Sequence, residues 1–487
     1  MVSPLVRRCL LACLIALSLI TSASGQSKKT APDSVSVPAS TQYENLNFIK
    51  RIFLGKNYRE EWSVPVKMPV LDIKTAHGGL TPTELGGGQQ TKSLRLEDKN
   101  GKEYSLRSVD KDVEKAVQPH LRKTFVKKLV QDMVSASHPY AALTVPDLAT
   151  AAGIVSPHPR LYFVPDDPAL GKYREMFANT VCMLEEREPT PDGSEAEDTE
   201  KMMKELMKDN DNMVMQEQVL RARLLDMLIA DWDRHIDQWK WGETDSANKK
   251  AFYVIPRDRD FAYFNSAGVL VTVMSWTSLP HMRGFTSESK GLKKLNKKTW
   301  FFDHNFLNEL DAEDWQRIIT AFQLSITDSV ISRAIRRMPP ETYAIRGKEI
   351  EDKLKSRRDG LLKNGMKYYD YLAATVHVMG TDNADLFRVT GSGDDIVVTV
   401  YGYNKKQPGS VVYKRVFKRG ETHEIILNGF GDDDHFEIDE TVSSKIRLVV
   451  EGGDGKDSLT NRGKKVKEKL IGVEEETSGD ALTKYGK

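Results

Sequence analysis

Cysteine is nearly absent: of 3 in 487 residues, Cys9 and Cys13 sit at the extreme N-terminus and only Cys182 follows. With one thiol left beyond that terminus, no intramolecular disulfide can form there, so stability must come from packed cores and bound groups. An excess of one charge is missing too, since 71 Lys and Arg face 70 Asp and Glu. No net field is available to hold a polyanionic backbone, which argues against nucleic acid as a partner. Long apolar runs are lacking after the N-terminal segment, and the mean hydropathy is −0.47. No later segment reads as a membrane-spanning helix. What remains is the composition of a globular chain, 39% hydrophobic and 29% charged, long enough for two or three cores.

The N-terminus carries Arg7 and Arg8, then an apolar stretch from Leu10 to Ile20, then Ser22, Ala23, Ser24 and Gly25. That order is a secretory signal peptide over residues 1–25, and it predicts an exported protein, periplasmic, outer-membrane-associated or extracellular. Residues 26–57 begin with Ser, Thr, Pro, Ala and Lys and read as a flexible leader.

A mixed segment, residues 58–188, follows. Thr91 to Leu96 and Glu103 to Val109 read as two strands joined by Asn100-Gly101, a tight-turn signal, and a helix is expected from about His120 to Ser135. Residues 189–212 are rich in Pro, Gly, Glu, Asp and Lys and predict a mobile surface insertion. Helical periodicity dominates residues 213–368, with Val219, Leu220, Leu224, Leu225 and Leu228 on one stretch and Trp315, Ile318, Ile319 and Phe322 on another. From residue 369 to 470 the pattern changes to period-two strands between Gly/Asp turns, and residues 471–487 form a polar tail.

Two acidic segments carry the chemistry. Asp231-Trp232-Asp233-Arg234-His235-Ile236-Asp237-Gln238 follows a helix, and Pro256-Arg257-Asp258-Arg259-Asp260 ends an apolar strand. Carboxylates at the end of a buried strand are costly unless a cation neutralises them, and hard oxygen ligands suit Mg²⁺ or Mn²⁺. Phosphoryl transfer needs one carboxylate to orient an attacking hydroxyl and another to hold metal against phosphates. His235 reads more simply as an oriented structural histidine.

Helix, Asp-Arg-His, a polar residue five positions past the Asp, strand, then Asp-x-Asp and an aromatic resembles the atypical kinase-like proteins: the spore-coat CotH family, the HipA toxin kinases and the secretory-pathway kinases of the Golgi. The resemblance implies an α+β, two-lobed kinase-like fold, with a β-rich lobe at 58–188 and a helical lobe at 213–368. It implies that Asp233 is the catalytic aspartate, Asp258 the metal-binding one and Asp260 an auxiliary ligand. Gln238 stands where these families carry Asn or an acid, a departure that keeps an amide oxygen for metal but loses charge.

Upstream, Gly86-Gly87-Gly88 before the hairpin is a candidate phosphate-cradling loop, with an ordinary turn as the plainer alternative. The resemblance puts Arg107 where a kinase has its phosphate-pairing Lys, with Lys111 as second candidate. Arg can hold phosphates bidentately but is not an equivalent replacement. Asp132 is the expected partner of Arg107. Val181 to Glu186 resembles the hinge between lobes, where adenine would bind beside Glu185.

Three Gly/Asp stretches recur in the last region: Gly380 to Phe387, Gly429 to Phe436 and Gly452 to Leu459. The last resembles one unit of the calcium β-roll repeat, which would bring Ca²⁺. In sequence the copies lie too far apart for a continuous roll, so turns of a small all-β C-terminal domain, a sandwich or irregular solenoid, are the expectation. In outline the arrangement also resembles large exported bacterial proteins with an outer-membrane barrel, which would add an outer-membrane or envelope partner.

The expected function is an exported kinase-like protein that binds ATP or another nucleotide with divalent metal and transfers phosphate to a protein or small-molecule acceptor. Two alternatives stand beside it: a catalytically silent binding or scaffold module of the cell envelope, and a metal-dependent phosphohydrolase built on Asp231, Asp233, His235, Asp258 and Asp260.

Overall fold

The computed structural model describes residues 33–44, 47–86, 91–114, 117–246, 249–276, 282, 284–404, 407–464 and 467–475. Residues 1–25, expected as a signal peptide, and most of the polar tail lie outside the described residues, as do Gly87 and Gly88. The chain is a mixed α+β protein with several sheets and many helices. Among the described residues no single helix is long and apolar enough to cross a membrane.

The stretch expected as a flexible leader is partly built into the body. Strand β1 (Ser34–Val37) pairs antiparallel with β2 (Val66–Pro69), and Phe48–Leu54 is helical. The low-complexity composition hid a short alternating Ser-Val-Ser-Val run, which is enough for an edge strand once a partner exists.

A five-stranded sheet comes next, from β3 (Leu80–Leu85), β4 (Thr91–Asp98), β5 (Glu103–Lys111), β6 (Arg160–Val164) and β7 (Thr180–Glu186), in the order β3-β4-β5-β7-β6. The β4–β5 hairpin forms at the expected Asn-Gly turn, with Gly101 in the left-handed region. Leu94, Leu96, Leu106, Cys182 and Leu184 alternate onto one face and close a small core with Leu170 and Phe177. The helix expected over 120–135 is shorter, Phe125–Met133, capped by the Thr124 side chain accepting from Val126 N–H.

The segment expected as a mobile insertion is ordered and docked. It holds β8 (Glu197–Asp198) and the helix Thr199–Met207, whose N-terminus is capped by the Asp198 carboxylate. Met202 is buried, and the Trp241 indole N–H donates to Thr199 Oγ1 at 3.0 Å. Short β9 (Met213–Val214) leads into the helix Gln216–Ile229. Strands β10 (Trp239–Ser246) and β11 (Lys249–Pro256) form an antiparallel hairpin, which with β8 and β9 makes a sheet of order β8-β10-β11-β9. Helices from Leu292 to Ala373 pack Trp315, Ile318, Ile331, Leu354 and Tyr368 against the Gln216–Ile229 helix in one large core.

After Ala373 every described element is a strand. β12 (Thr375–Met379), β13 (Asp385–Ser392), β14 (Asp395–Asn404), β15 (Gln407–Phe417), β16 (Glu424–Phe430), β17 (His435–Ile438), β18 (Arg447–Gly453), β19 (Ser458–Asn461), β20 (Lys467–Ile471) and β21 (Glu474–Glu475) form two sheets. One has the order β12-β16-β18-β20, all parallel; the other runs β15-β14-β13-β17-β19-β21. β12, β16 and β18 of the first sheet each feed a strand of the second through a Gly-x-x-x-x-Asp turn, β20 reaches β21 through Gly472-Val473, and the apolar faces close on a core of their own.

The three Gly/Asp turns are therefore stacked neighbours, contrary to the expectation from their sequence separation. The β14–β15 hairpin is looped out between the first and second copies and lengthens the chain without separating the coils. The Asp434 carboxylate accepts from Asp385 N–H at 2.8 Å, and the Asp457 carboxylate from Asp434 N–H at 3.0 Å. A Cβ on Gly429 or Gly452 would run into the carboxylate of Asp434 or Asp457, which is why glycine opens each turn. At the outer end Asn210 takes the role of a missing coil, donating its amide to the Asp385 carboxylate, while Asp382 N–H reaches Met207 O at 2.8 Å.

Candidate functional site

The helix Gln216–Ile229 ends at Ala230, in the left-handed conformation, and hands the chain to the first acidic segment. The second segment leaves β11 and turns sharply at Asp258, whose φ of 55° is unusual for a residue with a Cβ. Arg234 ties the two together. Its guanidinium donates to the carbonyls of Arg257 (2.6 Å), Asp258 (3.2 Å) and Gln238 (3.1 Å), and Arg257 N–H returns to Gln238 O at 2.9 Å. The Gln238 amide lies 3.4 Å from Asp258 Oδ2.

Beneath this junction a lattice of opposite charges is fully buried. Asp226 receives Arg223, Arg234 and Arg259, Arg223 also binds Asp303, and Arg259 reaches Asp231. Burial pushes Asp226 up, but the three guanidiniums outweigh it and hold the carboxyl below its ordinary value. Asp231 goes the other way, pushed up to about 6 by burial and by the nearby Asp226 and Asp233, against Arg234 and Arg259. These groups fix the loop geometry.

Above the junction lies a narrow cleft that opens to solvent. Its charged half is made by Arg107, Lys111, Glu185, Asp258 and Asp260. Residues Arg107 and Lys111 come from β5, and Glu185 from the adjoining β7. Arg107 is 2.6 Å from Asp258, 3.3 Å from Asp260 and 3.7 Å from Glu185; Lys111 is 3.2 Å from Asp260 and lies over the Phe261 ring. Burial would raise Asp258, yet Arg107 and Lys111 hold it well below the usual carboxylate range. Glu185 is raised, by burial first and by Asp258 and Asp260, despite Arg107 and Arg257.

Asp258, Asp260, Arg107, Lys111 and Glu185 are thus brought together, with Gln238 beside them. Asp233 is close in the chain but does not line the cleft; its carboxylate is held by Lys298, whose ammonium also sits over Trp232. Asp132 is not the partner of Arg107. It forms a two-pronged pair with Arg59 at 2.9 and 2.6 Å, an element of the supposed leader boundary that no local pattern marked as charged and buried. Gly86 N–H donates to Ser93 O at 2.9 Å, an ordinary hairpin contact. Sequence reasoning missed Arg234 and Lys298. The one signal for the buried lattice was Arg223 and Asp226, two charges set among the apolar residues Leu220, Ala222, Leu224, Leu225, Met227 and Leu228 of one helix.

For a divalent cation the donor chemistry fits. Asp258 Oδ1 and Glu185 Oε1 are buried and accept no hydrogen bond, and the Gln238 amide adjoins Asp258. Among the described residues no group of three or more His, Cys, Asp or Glu is arranged to hold an ion by protein ligands alone. Mg²⁺ characteristically uses one or two carboxylates and completes its shell with water and phosphate oxygens.

No family model matches the chain. No curated protein matches it. Among solved structures it is similar to the proinflammatory kinase CtkA of Helicobacter pylori. That chain is 13% identical, with 59% of this chain and 96% of the other covered and a TM-score of 0.33. At that score the likeness decides nothing about the site.

Proposed function

We propose that the cleft binds a nucleoside triphosphate with Mg²⁺ or Mn²⁺ and transfers its terminal phosphoryl group to a hydroxyl acceptor, in a kinase-like arrangement of a β-rich and a helical lobe followed by an all-β domain. One observation carries this: Arg107 from the sheet meets Asp258, Asp260 and Glu185 in a single cleft, beside Gln238. Cations for phosphate and carboxylates for metal then face each other across a few ångströms. Arg107 and Lys111 would hold phosphate oxygens, and Asp258, Asp260 and Gln238 would hold the cation. The cation, when bound, neutralises charge on the phosphates. In the reaction the acceptor oxygen bonds to the terminal phosphorus and the bond to the bridging oxygen breaks. Nucleoside diphosphate leaves, and the hydroxyl proton would pass to Asp233 on its turning from Lys298 towards the cleft. Export through the N-terminal segment belongs to the same proposal.

A thermal-shift titration with ATP and Mn²⁺ tests it. Wild type is expected to gain stability with ligand concentration and Asp258→Ala to gain none. No shift in wild type removes the proposal.

A second reading, a binding module without transfer, has its own support in the pairing of Asp233 with Lys298, away from the cleft lining. Nucleotide binding without diphosphate release, in the presence of candidate acceptors, would favour it. The hydrolase alternative has no such support, because Asp231 is engaged by Arg234 and Arg259 and His235 by Asp237 and Gln238.

A further inference from the structure

Away from the cleft, two short helices expose apolar side chains in one place. Phe48–Leu54 and Val269–Trp276 lie side by side although they are far apart in the chain. Phe48 is 77% exposed, and Ile52, Phe53, Val269 and Val273 are between 47% and 52% exposed. Helical spacing sets Phe48 with Ile52, and Val269 with Val273, one turn apart on the same face. A single exposed apolar residue needs no explanation, but a contiguous group on two adjoining helices marks a surface that something covers.

The pair is fastened from behind. Gly55, in the left-handed region, closes the first helix with its N–H donating to Arg51 O at 2.9 Å. A Cβ on Gly268 would run into the Phe53 carbonyl, and one on Gly55 into Gly268 N, so the two backbones touch where only glycine fits. Buried Asn57 clamps the same corner: its amide donates to Leu54 O at 3.1 Å and Ser135 Oγ at 3.0 Å, and its Oδ1 accepts Ala267 N–H at 3.3 Å. The charge around the face has one sign, in a chain that is balanced as a whole. From Asn47 to Arg59 the sequence holds Lys50, Arg51, Lys56 and Arg59 and no acid, and from Phe261 to Ser287 it holds Arg283 and no acid. Arg51 and Lys56 are exposed; acids, Glu44 and Glu60, enter only in the neighbouring hollow that these two cations also line.

We propose that this two-helix face docks the protein on an anionic phospholipid surface, its apolar side chains entering the acyl boundary while Arg51 and Lys56 meet the phosphates. At 7 and 8 residues neither helix can span a bilayer, so both lie in the plane of the interface. Aromatic and branched side chains bordered by cations are what such a surface attracts, through burial and charge together. A second copy of the chain fits less well. The five side chains offer on the order of 500 Å², against about 800 Å² from each partner in a stable protein interface, and a symmetric pair would set like charges against each other. The inference is independent of what the cleft binds.

The test uses the chain from Gln26 onward, the form that export would leave, because Leu10 to Ile20 would bind lipid by itself; every described element lies beyond that point. Co-sedimentation is measured with vesicles of phosphatidylcholine alone and of phosphatidylcholine mixed with phosphatidylglycerol. Wild type should bind the mixed vesicles about tenfold more strongly than the neutral ones, and less strongly as salt is raised. Phe48→Ser with Phe53→Ser, and Arg51→Glu with Lys56→Glu, should each weaken binding to the mixed vesicles about tenfold. Leu324→Ser, which removes a side chain 74% exposed on another helix, should change nothing. Should a double variant fail to fold, Val273→Ser on the second helix should still weaken binding severalfold. Wild type that binds neither kind of vesicle, or binding that the Phe48, Phe53 and Val273 changes leave intact, overturns the proposal. So does a dimer in sedimentation velocity that Phe48→Ser with Phe53→Ser makes monomeric, since a second copy would then be what covers the face.

Discussion

Two regions of the molecule bury aspartates. In the cleft and the charge lattice beneath it, each is met by guanidinium or ammonium: Asp258 by Arg107, Asp260 by Arg107 and Lys111, Asp226 by three arginines. In the roll, Asp385, Asp434 and Asp457 are stacked on one another, and what faces Asp434 is more acid, including Asp432. The consequence is opposite. Asp258 is held ionised, whereas burial and like neighbours push Asp434 up to about 8 and burial pushes Asp385 up to about 6. Residue type is shared, and although the stacked aspartates are the more deeply buried, it is the partner that decides whether a carboxyl is a charge available for a cation or a neutral strut that holds two coils together.

The largest test of this contrast removes an acid from the lattice. Asp226→Ala leaves three buried arginines without their shared partner and should cost about 3–5 kcal/mol of unfolding free energy, measured by urea denaturation. A loss below about 1 kcal/mol would mean that the lattice is not holding the junction.

In the cleft itself, Asp258→Ala should abolish the ligand-dependent gain in stability, about 2.7 kcal/mol at a hundredfold excess over Kd. The apoprotein should melt at a more similar temperature, because Asp258 is only partly buried from solvent.

For the roll, the sign of the pH dependence is reversed. Above 3.8 the unfolded chain releases the Asp434 proton, while the folded chain keeps it to about pH 8. Unfolding therefore releases a proton across that window, and the contribution present below pH 3.8 is lost as pH rises towards 8. Asp434→Asn keeps the shape and a donor, so it should leave stability near wild type at pH 5 and raise it by about 1–3 kcal/mol at pH 8. Parallel melting curves of the two proteins across pH 5 to 8 would contradict a protonated ladder. Asp258 contributes with the other sign, since its stabilisation is present above the ordinary carboxylate range and fades only in stronger acid.

The smallest effect belongs at the end of the ladder. Asn210→Ala leaves the Asp385 carboxylate without its outer amide and should cost about 1 kcal/mol, seen as faster amide exchange at Thr381 and Asp385. Unchanged exchange would show that the Met207 to Asn212 segment does not cap the roll.

Much of this was legible in the chain. Strand patterning and the Asn-Gly turn gave β4, β5, β14 and β18, and the apolar stripe of Trp315, Ile318, Ile319 and Phe322 gave a helix, because local hydrophobic spacing is written residue by residue. Asp258 and Asp260 could be singled out because two acids at the end of an apolar strand are costly without a cation nearby. The partners were not legible. Arg59 reaches Asp132 across 73 positions and Lys298 reaches Asp233 across 65, separations for which one sequence holds no signal.

The sequence by itself determined where the strongly periodic strands and helices fall, and that each Gly/Asp stretch is a turn, since dihedral preference and hydrophobic period act over a few neighbouring residues. Only the tertiary structure decided that those turns stack, that residues 199–212 dock on them, and which carboxyl meets an arginine and which meets another acid. Coulomb energy and desolvation depend on distance through space, and chain separation does not encode that distance.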